Sequence, residues 1–394
     1  MKIILRLMLI GMVIGVVQKA VYAQGGESAV PFLLLAPDSR AGGLGESGAG
    51  LADNSAAIFW NPAGIAFLTG NEVSITHSNW LPQFNLDLFY DYLTYRQYIE
   101  SLNGSVTASV TYMNFGEFVR TGADSPDPLG TFRSFDAALT VGYATKLSND
   151  WGLGLNFRLI HSRLSDQPTA QEQGKGVATS VSFDVATMWR PSSFEIPLIG
   201  DIGNKFSVGA NLSNLGPKIY YIDRAQADPI PTNLRIGFAY QLMNDEYNSL
   251  MYTFDISKVL IKKTTQTVIS NNDTTSVSKS DEWYQAIFTS WGAKPFFRSM
   301  DYSMGLEYWY GTPGDFLFAL RTGFFYEDPS YGNRKFVTFG AGIRYDIYGF
   351  DFSYITTSIF KGGANHPLSD TLRFSVSIGW GGIVGQTRGL PRGI

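Results

Sequence analysis

From Asn71 to Trp380 the sequence returns to one pattern, apolar residues alternating with small or polar ones. Period two puts alternate side chains on opposite faces of a strand. In the segment after Ser134, Phe135, Ala137, Leu139, Val141 and Tyr143 face one way, and Asp136, Ala138, Thr140 and Gly142 the other. Phe316, Phe318, Leu320, Phe324 and Tyr326 oppose Arg321, Gly323 and Glu327, and Val337, Phe339, Ala341, Ile343 and Tyr345 oppose Thr338, Gly340, Gly342 and Arg344. The last strand sets Leu372, Phe374, Val376, Ile378 and Trp380 against Arg373, Ser375 and Ser377. The pattern predicts 14 strands, at roughly 71–79, 87–98, 104–115, 131–146, 151–164, 177–190, 203–213, 232–243, 248–258, 300–310, 315–326, 335–346, 349–357 and 370–380. Most have the roughly 9–12 residues that a tilted strand needs to cross a bilayer. Aromatics gather near strand ends, as interfacial girdles require (Tyr90, Tyr112, Trp151, Trp189, Tyr310, Tyr345).

The connections test this independently. Short turns fall at every second position (147–150, 244–247, 311–314, 347–348), and longer loops fill the alternate ones (116–130, 165–176, 214–231, 259–299, 328–334, 358–369). Transmembrane barrels sort their loops this way, whereas a soluble sandwich has no reason to and would expose its outer aromatics to aggregation. Pro191–Ile202 breaks the rule on the short side and reads as an elaboration at that end. With 14 % aromatics and only 16 % charged residues, the composition suits strands that face lipid. The fold class expected is therefore all-β, a transmembrane antiparallel barrel of about 14 strands. An even strand number puts both termini on one side, taken as periplasmic.

Residues 1–23 read as a secretory signal: Lys2 and Arg6 as the charged start, Leu7–Val17 as the apolar core, Val21-Tyr22-Ala23 as the cleavage site. The apolar run is about half of the roughly 20 residues a spanning helix needs. Losing its three cations takes the formal charge of −4 to −7, and no basic cluster suggests nucleic acid. Absence of cysteine excludes disulfides, Cys-ligated metal and an acylated N-terminal Cys. The expected organisation is a signal at 1–23, a hatch at 24–70, the barrel at 71–380 and a tail at 381–394.

Fourteen strands enclose a lumen that side chains alone do not fill. Its inward set carries both signs: Asp136, Asp184, Asp255, Glu307 and Asp351 with Arg158, Arg190, Arg235, Arg321, Arg344 and Arg373. A charge-selective pore leans to one sign, so balance favours paired charges bracing a plug. The stretch Ala29–Phe67, AVPFLLLAPDSRAGGLGESGAGLADNSAAIFWNPAGIAF, supplies one. Its small residues can pack against a wall, and Asp38, Arg40, Asp53 and Asn54 can bond to inward charges. Ala49–Ile58 is expected to form a short helix with Trp60 packing after it. Pro62 holds Asn61 extended.

These residues carry a resemblance. AVPFLLLAPDSRAGGLGESGAG followed by FWNPAGIAF and a strand resembles the start of the PorV family, outer-membrane components of the type IX secretion system of Bacteroidetes and related bacteria. The NPA element is shared with FadL-like barrels, where it lies in the N-terminal hatch. SFDAALTVGYATKLSNDWGLGLNFRLIHSRLS and YSMGLEYWYG…FALRTGFFYED extend the likeness over nearly the whole mature chain, while the tail after Trp380 and the Thr/Ser-rich Asn271–Ser280 depart from it. The resemblance implies a hatch that includes Pro37, Asp38, Arg40, Gly42, Gly43, Trp60, Asn61 and Pro62. Asp136, Arg158, Asp184, Arg235, Glu307, Arg321, Arg344 and Arg373 are the candidate charges bracing it. It further implies a non-enzymatic accessory barrel that partners an SprA-type translocon, receives the C-terminal signal domain of cargo, and delivers it to a PorU-type sortase complex for surface attachment. Outer-membrane lipid or lipopolysaccharide surrounds it.

No HExxH, GxSxG or Walker sequence occurs, no cofactor is implied, and the three histidines, His77, His161 and His366, are scattered. His161-Ser162 and His77-Ser78 are adjacent on strands and point to opposite faces, so neither pair is a base and nucleophile couple. The 259–299 loop far exceeds ordinary connections. It ends in WYQAIFTSWGAKPFF, whose Trp283, Tyr284, Phe288, Trp291, Phe296 and Phe297 either cover the barrel mouth or grip a partner, or else only pack the loop on itself. Two other functions stay open: a FadL-like transporter of hydrophobic small molecules, and an outer-membrane lipid hydrolase that would lose activity on His161→Ala.

Overall fold

The computed structural model describes residues 28–121, 127–165, 175–198, 200–270, 273–292, 295–312, 314–360 and 367–382. The signal segment, His366 and most of the tail lie outside them. Fourteen antiparallel strands close into one barrel: β1 Asn71–Asn79, β2 Phe89–Ile99, β3 Gly104–Thr121, β4 Pro128–Lys146, β5 Trp151–Arg163, β6 Val177–Trp189, β7 Phe206–Leu215, β8 Asn233–Asn244, β9 Asn248–Val259, β10 Asp301–Tyr310, β11 Leu317–Tyr326, β12 Lys335–Tyr345, β13 Tyr348–Thr356 and β14 Thr371–Trp380. Each pairs with its sequence neighbours, and β14 returns to β1 with Trp380 opposite Asn71 and Arg373 opposite Ser78. Closure leaves no sheet edge in the wall, which lipid demands because unpaired backbone groups find no water there. Among the described residues no helix is long and apolar enough to cross a membrane.

Alternation places the side chains as period two requires. Along β5, Phe157 and Leu159 are exposed on the outer face while Arg158 and Ile160 are buried in the lumen. The short connections lie at the end where the strands begin and finish, the terminal end; the longer ones lie at the far end. Pro191–Ile202, at the terminal end, holds a small hairpin, Glu195–Ile196 against Gly200–Asp201. Asp201 accepts hydrogen bonds from the Phe194 and Gly203 amides and from Ser193, which hold its carboxyl below the usual carboxylate range. Phe194 packs edge-on against Trp189 and Phe206, so the hairpin lies on the rim of the wall.

Three expectations need correction. The 116–130 stretch is mostly ribbon: β3 and β4 stay paired to Thr121 and Pro128 across a register shift between Asn114 and Glu117, with Phe118 stacked on Phe132. The β-branched and aromatic residues there suit a ladder better than a loop. The polar Asn271–Ser280 stretch contributes a strand, Asp273–Ser280, paired with Lys263–Ser270. Ala49–Ile58 is not a helix; a single helical turn runs later, Ala57–Trp60. Ala52 takes a positive φ, and Asp53 and Ser55 spend their polar groups on wall and hatch partners, so no helix begins earlier.

Candidate functional site

The lumen is occupied by the hatch. Its described part runs in short pieces, a 3-10 turn at Pro31–Leu34, a helical turn at Ser39–Gly42, the turn at Ala57–Trp60 and a 3-10 turn at Pro62–Phe67. Pro62–Phe67 packs on β4, β5 and β6, and Ser39–Gly42 packs across the lumen on β12, β13 and β14. Pieces this short satisfy few of their own backbone groups, so the wall supplies partners.

One charged chain ties a hatch side chain to the wall. Arg40 donates to Glu307 through Nε and Nη2, both at 2.7 Å, and pairs on its other side with Asp53. Arg321 donates Nε to the same Glu307 at 2.7 Å and Nη1 to Asp351 at 2.8 Å, and Arg344 reaches Asp351 at 2.6 Å. All six groups are buried, and the three guanidinium groups surround the Trp309 indole. Buried charges persist only when paired and hydrogen-bonded, and forked guanidinium–carboxylate contacts achieve this with fixed geometry.

Elsewhere the wall meets hatch backbone. Asp255 on β9 accepts from the Gly48 and Ala49 amides, each at 2.9 Å, and from the Ser47 hydroxyl at 3.1 Å. Arg235 donates to the Glu46 carbonyl and lies over the Trp60 ring. Arg373, fully buried, pairs with Glu46 at 3.2 Å. Inside the hatch, Asp38 caps the Ser39–Gly42 turn through the Ala41 amide and accepts the Trp60 indole N–H at 2.6 Å. Asn61 has φ −163 and ψ 96, extended as its following proline requires, and its amide donates to the Ala49 and Thr187 carbonyls. Pro37 is buried beside this cap.

Two predicted bracing charges act at one remove. Arg158 and Asp184 pair within the wall and reach the hatch through Asn156, which bonds both Asp184 and the Ile58 carbonyl. Asp136 is buried in the wall, and no hydrogen bond to the hatch is found for it among the described residues. Sequence reasoning passed over Glu46 and the Glu72–Arg96 pair, in which Glu72 accepts from the Ser55 amide and hydroxyl. It also passed over the wall glycines. A β-carbon on Gly323 would stand 2.0 Å from the Gly45 nitrogen, one on Gly154 2.3 Å from the Ala63 nitrogen, and one on Gly237 2.4 Å from the Gly50 nitrogen. Hatch and wall thus meet backbone to backbone, which only glycine permits.

Recesses remain at both faces of the plug. One at the terminal end is lined by Asp38, Arg40, Asp53, Trp309, Arg344 and Tyr348, and two smaller ones lie around Leu33, Phe59 and Arg158. His77 pairs with Asp91 on the outer wall and His161 bonds Thr179, while Ser78 and Ser162 are buried on the inner side, the opposed geometry expected of strand neighbours. Among the described residues no cluster could hold a metal ion.

The aromatic end of the long loop begins with a helix, Trp283–Thr289, held by a capping box between Glu282 and Gln285. Trp283 meets Phe183 edge-on at 5.5 Å, and Trp291 and Phe296 pack together at 5.9 Å. Tyr284, Phe288 and Phe297 are exposed.

With this geometry established, comparison with known proteins gives the following. No curated protein matches the chain. Among solved structures it is similar to the Pseudomonas putida toluene transporter TodX (10 % identity, 87 % of this chain and 98 % of that one, TM-score 0.48). It is also similar to the Ralstonia pickettii toluene transporter TbuX (12 %, 86 % and 96 %, 0.43) and a Pseudomonas aeruginosa FadL homologue (11 %, 87 % and 98 %, 0.47). Residues 20–266, well over half of the sequence, match the family model described as type IX secretion system protein PorV. The chain belongs to the PorV family, and is an outer-membrane β-barrel component of type IX secretion.

Proposed function

We propose that this protein is a plugged accessory barrel that works through its surfaces rather than through its lumen. The observation that carries the reading is the hatch, held by buried charge pairs and by backbone packed on backbone. A barrel filled this way keeps the membrane sealed while a neighbour conducts cargo. In this reading the terminal end, with its short turns, faces the periplasm. The far end, with the β3–β4 ribbon and the long loop, faces outward. The barrel stands beside an SprA-type translocon, receives the C-terminal signal domain of an emerging cargo protein at its far end, and passes it to a PorU-type attachment complex. The protein's part is recognition and transfer, with no bond made or broken by its own residues.

A pull-down from native outer membrane in mild detergent, followed by mass spectrometry, tests this. Co-purification with a very large barrel protein and with cargo ending in a signal domain supports it. A hydrophobic small molecule bound within the lumen, with no protein partner retained, would instead favour transport.

A further inference from the structure

The aromatic end of the long loop, from Trp283 to Ser299, packs on the outside of the wall. Three contacts fix this. Trp283 packs on Phe183, a residue of the outward set of β6. Tyr302, outward on β10, donates its hydroxyl to the Phe297 carbonyl at 2.9 Å. Lys258 on β9 has outward parity, between the inward Asp255 and Ser257 on one side and the strand end on the other, yet it is only 2 % exposed. Its ammonium donates to the Ser299 hydroxyl at 2.6 Å and lies beneath the Trp291 ring.

The depth can be read from an aromatic belt. His77, Phe89, Tyr112, Phe135 and His161 touch in sequence around the outer face of β1 to β5, with centroids 5.8, 6.0, 5.5 and 6.0 Å apart. Such girdles mark the edge of the apolar band. His161 stands opposite Thr179 on β6, and Phe183 lies four residues nearer the terminal end. Four residues of tilted strand amount to about 10 Å of depth. The Trp283 ring therefore reaches below the girdle, on the side of the wall where lipid lies. The helix turns Ala286 toward the protein and presents the uncharged Tyr284, Gln285, Phe288 and Thr289 away from it, with the Asp281 carboxylate at the edge accepting from the Thr289 hydroxyl at 2.6 Å. Phe288 is 80 % and Phe297 71 % exposed, more than Leu320 on the bare wall at 65 %.

We propose that the helix Trp283–Thr289 and the turn Phe296–Ser299 form a foot seated in the interfacial layer of the bilayer, with Phe288 and Phe297 among lipid acyl chains. The occupant is lipid because the foot packs on the outward face of the wall and Trp283 reaches below the girdle. The foot has a second effect: it roofs Lys258, whose charge would otherwise meet lipid at a cost.

The chain has no cysteine, so single-site labelling needs no background removal. Phe288→Cys and Phe297→Cys, with Leu320→Cys as the wall reference and Ala225→Cys as the aqueous one, are labelled with a bimane fluorophore. The labelled proteins are reconstituted in phosphatidylcholine vesicles. Acyl-chain spin-labelled phosphatidylcholine should quench both foot positions as it quenches Leu320→Cys. Iodide should quench them at least about threefold more weakly than Ala225→Cys. Iodide quenching equal to that of Ala225→Cys, with no response to the spin-labelled lipid, overturns the proposal. A photo-crosslinker at position 288 in native outer membrane supplies the other arm: lipid adducts support it, and adducts to a single protein overturn it. Because the vesicles contain no secretion partner, this outcome is independent of the role proposed above.

Discussion

Two segments leave the strand pattern and fold back on the wall, the hatch inside and the long loop outside. The hatch enters a lumen that water reaches poorly. There it is held by directional groups: Arg40 shared between Asp53 and Glu307, hatch amides on Asp255, and glycines that let backbones touch. The loop is held by aromatic edges, one covered lysine and partly exposed ion pairs at its margins, Lys218 with Glu282 and Arg298 with Asp328. In a closed space an unpartnered polar group is costly, so a buried network either fits throughout or fails. On the outside, an apolar side chain exchanges one apolar neighbour for another, and much less depends on any single contact. The hatch should therefore be brittle and the loop tolerant.

The contrast fails or holds first at Glu307. Glu307→Ala leaves Arg40 and Arg321 buried without their shared carboxylate, a loss of about 3–5 kcal/mol. Phe288→Ser should stay within about 0.5 kcal/mol. Denaturant titration in detergent micelles, followed by tryptophan fluorescence, compares them; equal losses would erase the distinction. Next comes Gly323→Ala, where the added carbon meets the Gly45 backbone. We expect a cost of about 1–3 kcal/mol for overpacking and a displaced hatch, seen as ion conductance in planar bilayers that the parent protein lacks. Gly292→Ala on the loop is the matched control, since a β-carbon there meets nothing within 4 Å, and should stay sealed and stable. Trp60→Phe keeps the ring but leaves the Asp38 carboxylate without its indole donor, a loss of about 1–3 kcal/mol in the same titration.

How far the sequence led differs between the two segments for a physical reason. Period two exposed the strands and the inward charges, because a residue's parity decides its face whatever its neighbours do. Parity also contained what was passed over: Glu72 shares the inward face of β1 with Ser74, Thr76 and Ser78, and Lys258 stands out as a cation in an outward position. What parity cannot give is which charges meet. Arg40 finds Glu307 rather than Asp351 because of barrel register and the path of the hatch, both set by closure of the first strand on the last, with Asn71 opposite Trp380. The glycines of β8 and β11 looked like strand residues of low bulk; their use as seats for the hatch needs both backbones in place. For the loop, a run of aromatics reads alike over a barrel mouth and against an outer wall, so its location was open until Trp283 met Phe183.

The smallest effect is expected where the loop is tied to the connection after β11. Arg298 donates to Asp328 at 2.7 and 2.9 Å, and Asp328 also accepts from the Ser330 amide. The Arg298 hydrogen bonds hold the Asp328 carboxyl down to about 2. A depressed carboxyl contributes fully above the unfolded value near 4 and loses its contribution as pH falls through about 2. The clamp is therefore constant between pH 5 and 8 and opens only in strong acid. Arg298 is half exposed, so solvent screening keeps the clamp weak. Asp328→Asn should mimic acid at neutral pH: cleavage by trypsin after Arg298 quickens severalfold while the unfolding midpoint of the barrel stays put. Bimane on Phe297→Cys should report the same opening in the parent protein only below about pH 4. A response between pH 5 and 8 would show that another group holds the turn. A shift in the barrel midpoint would mean that the outer segment is coupled to the wall as tightly as the hatch is.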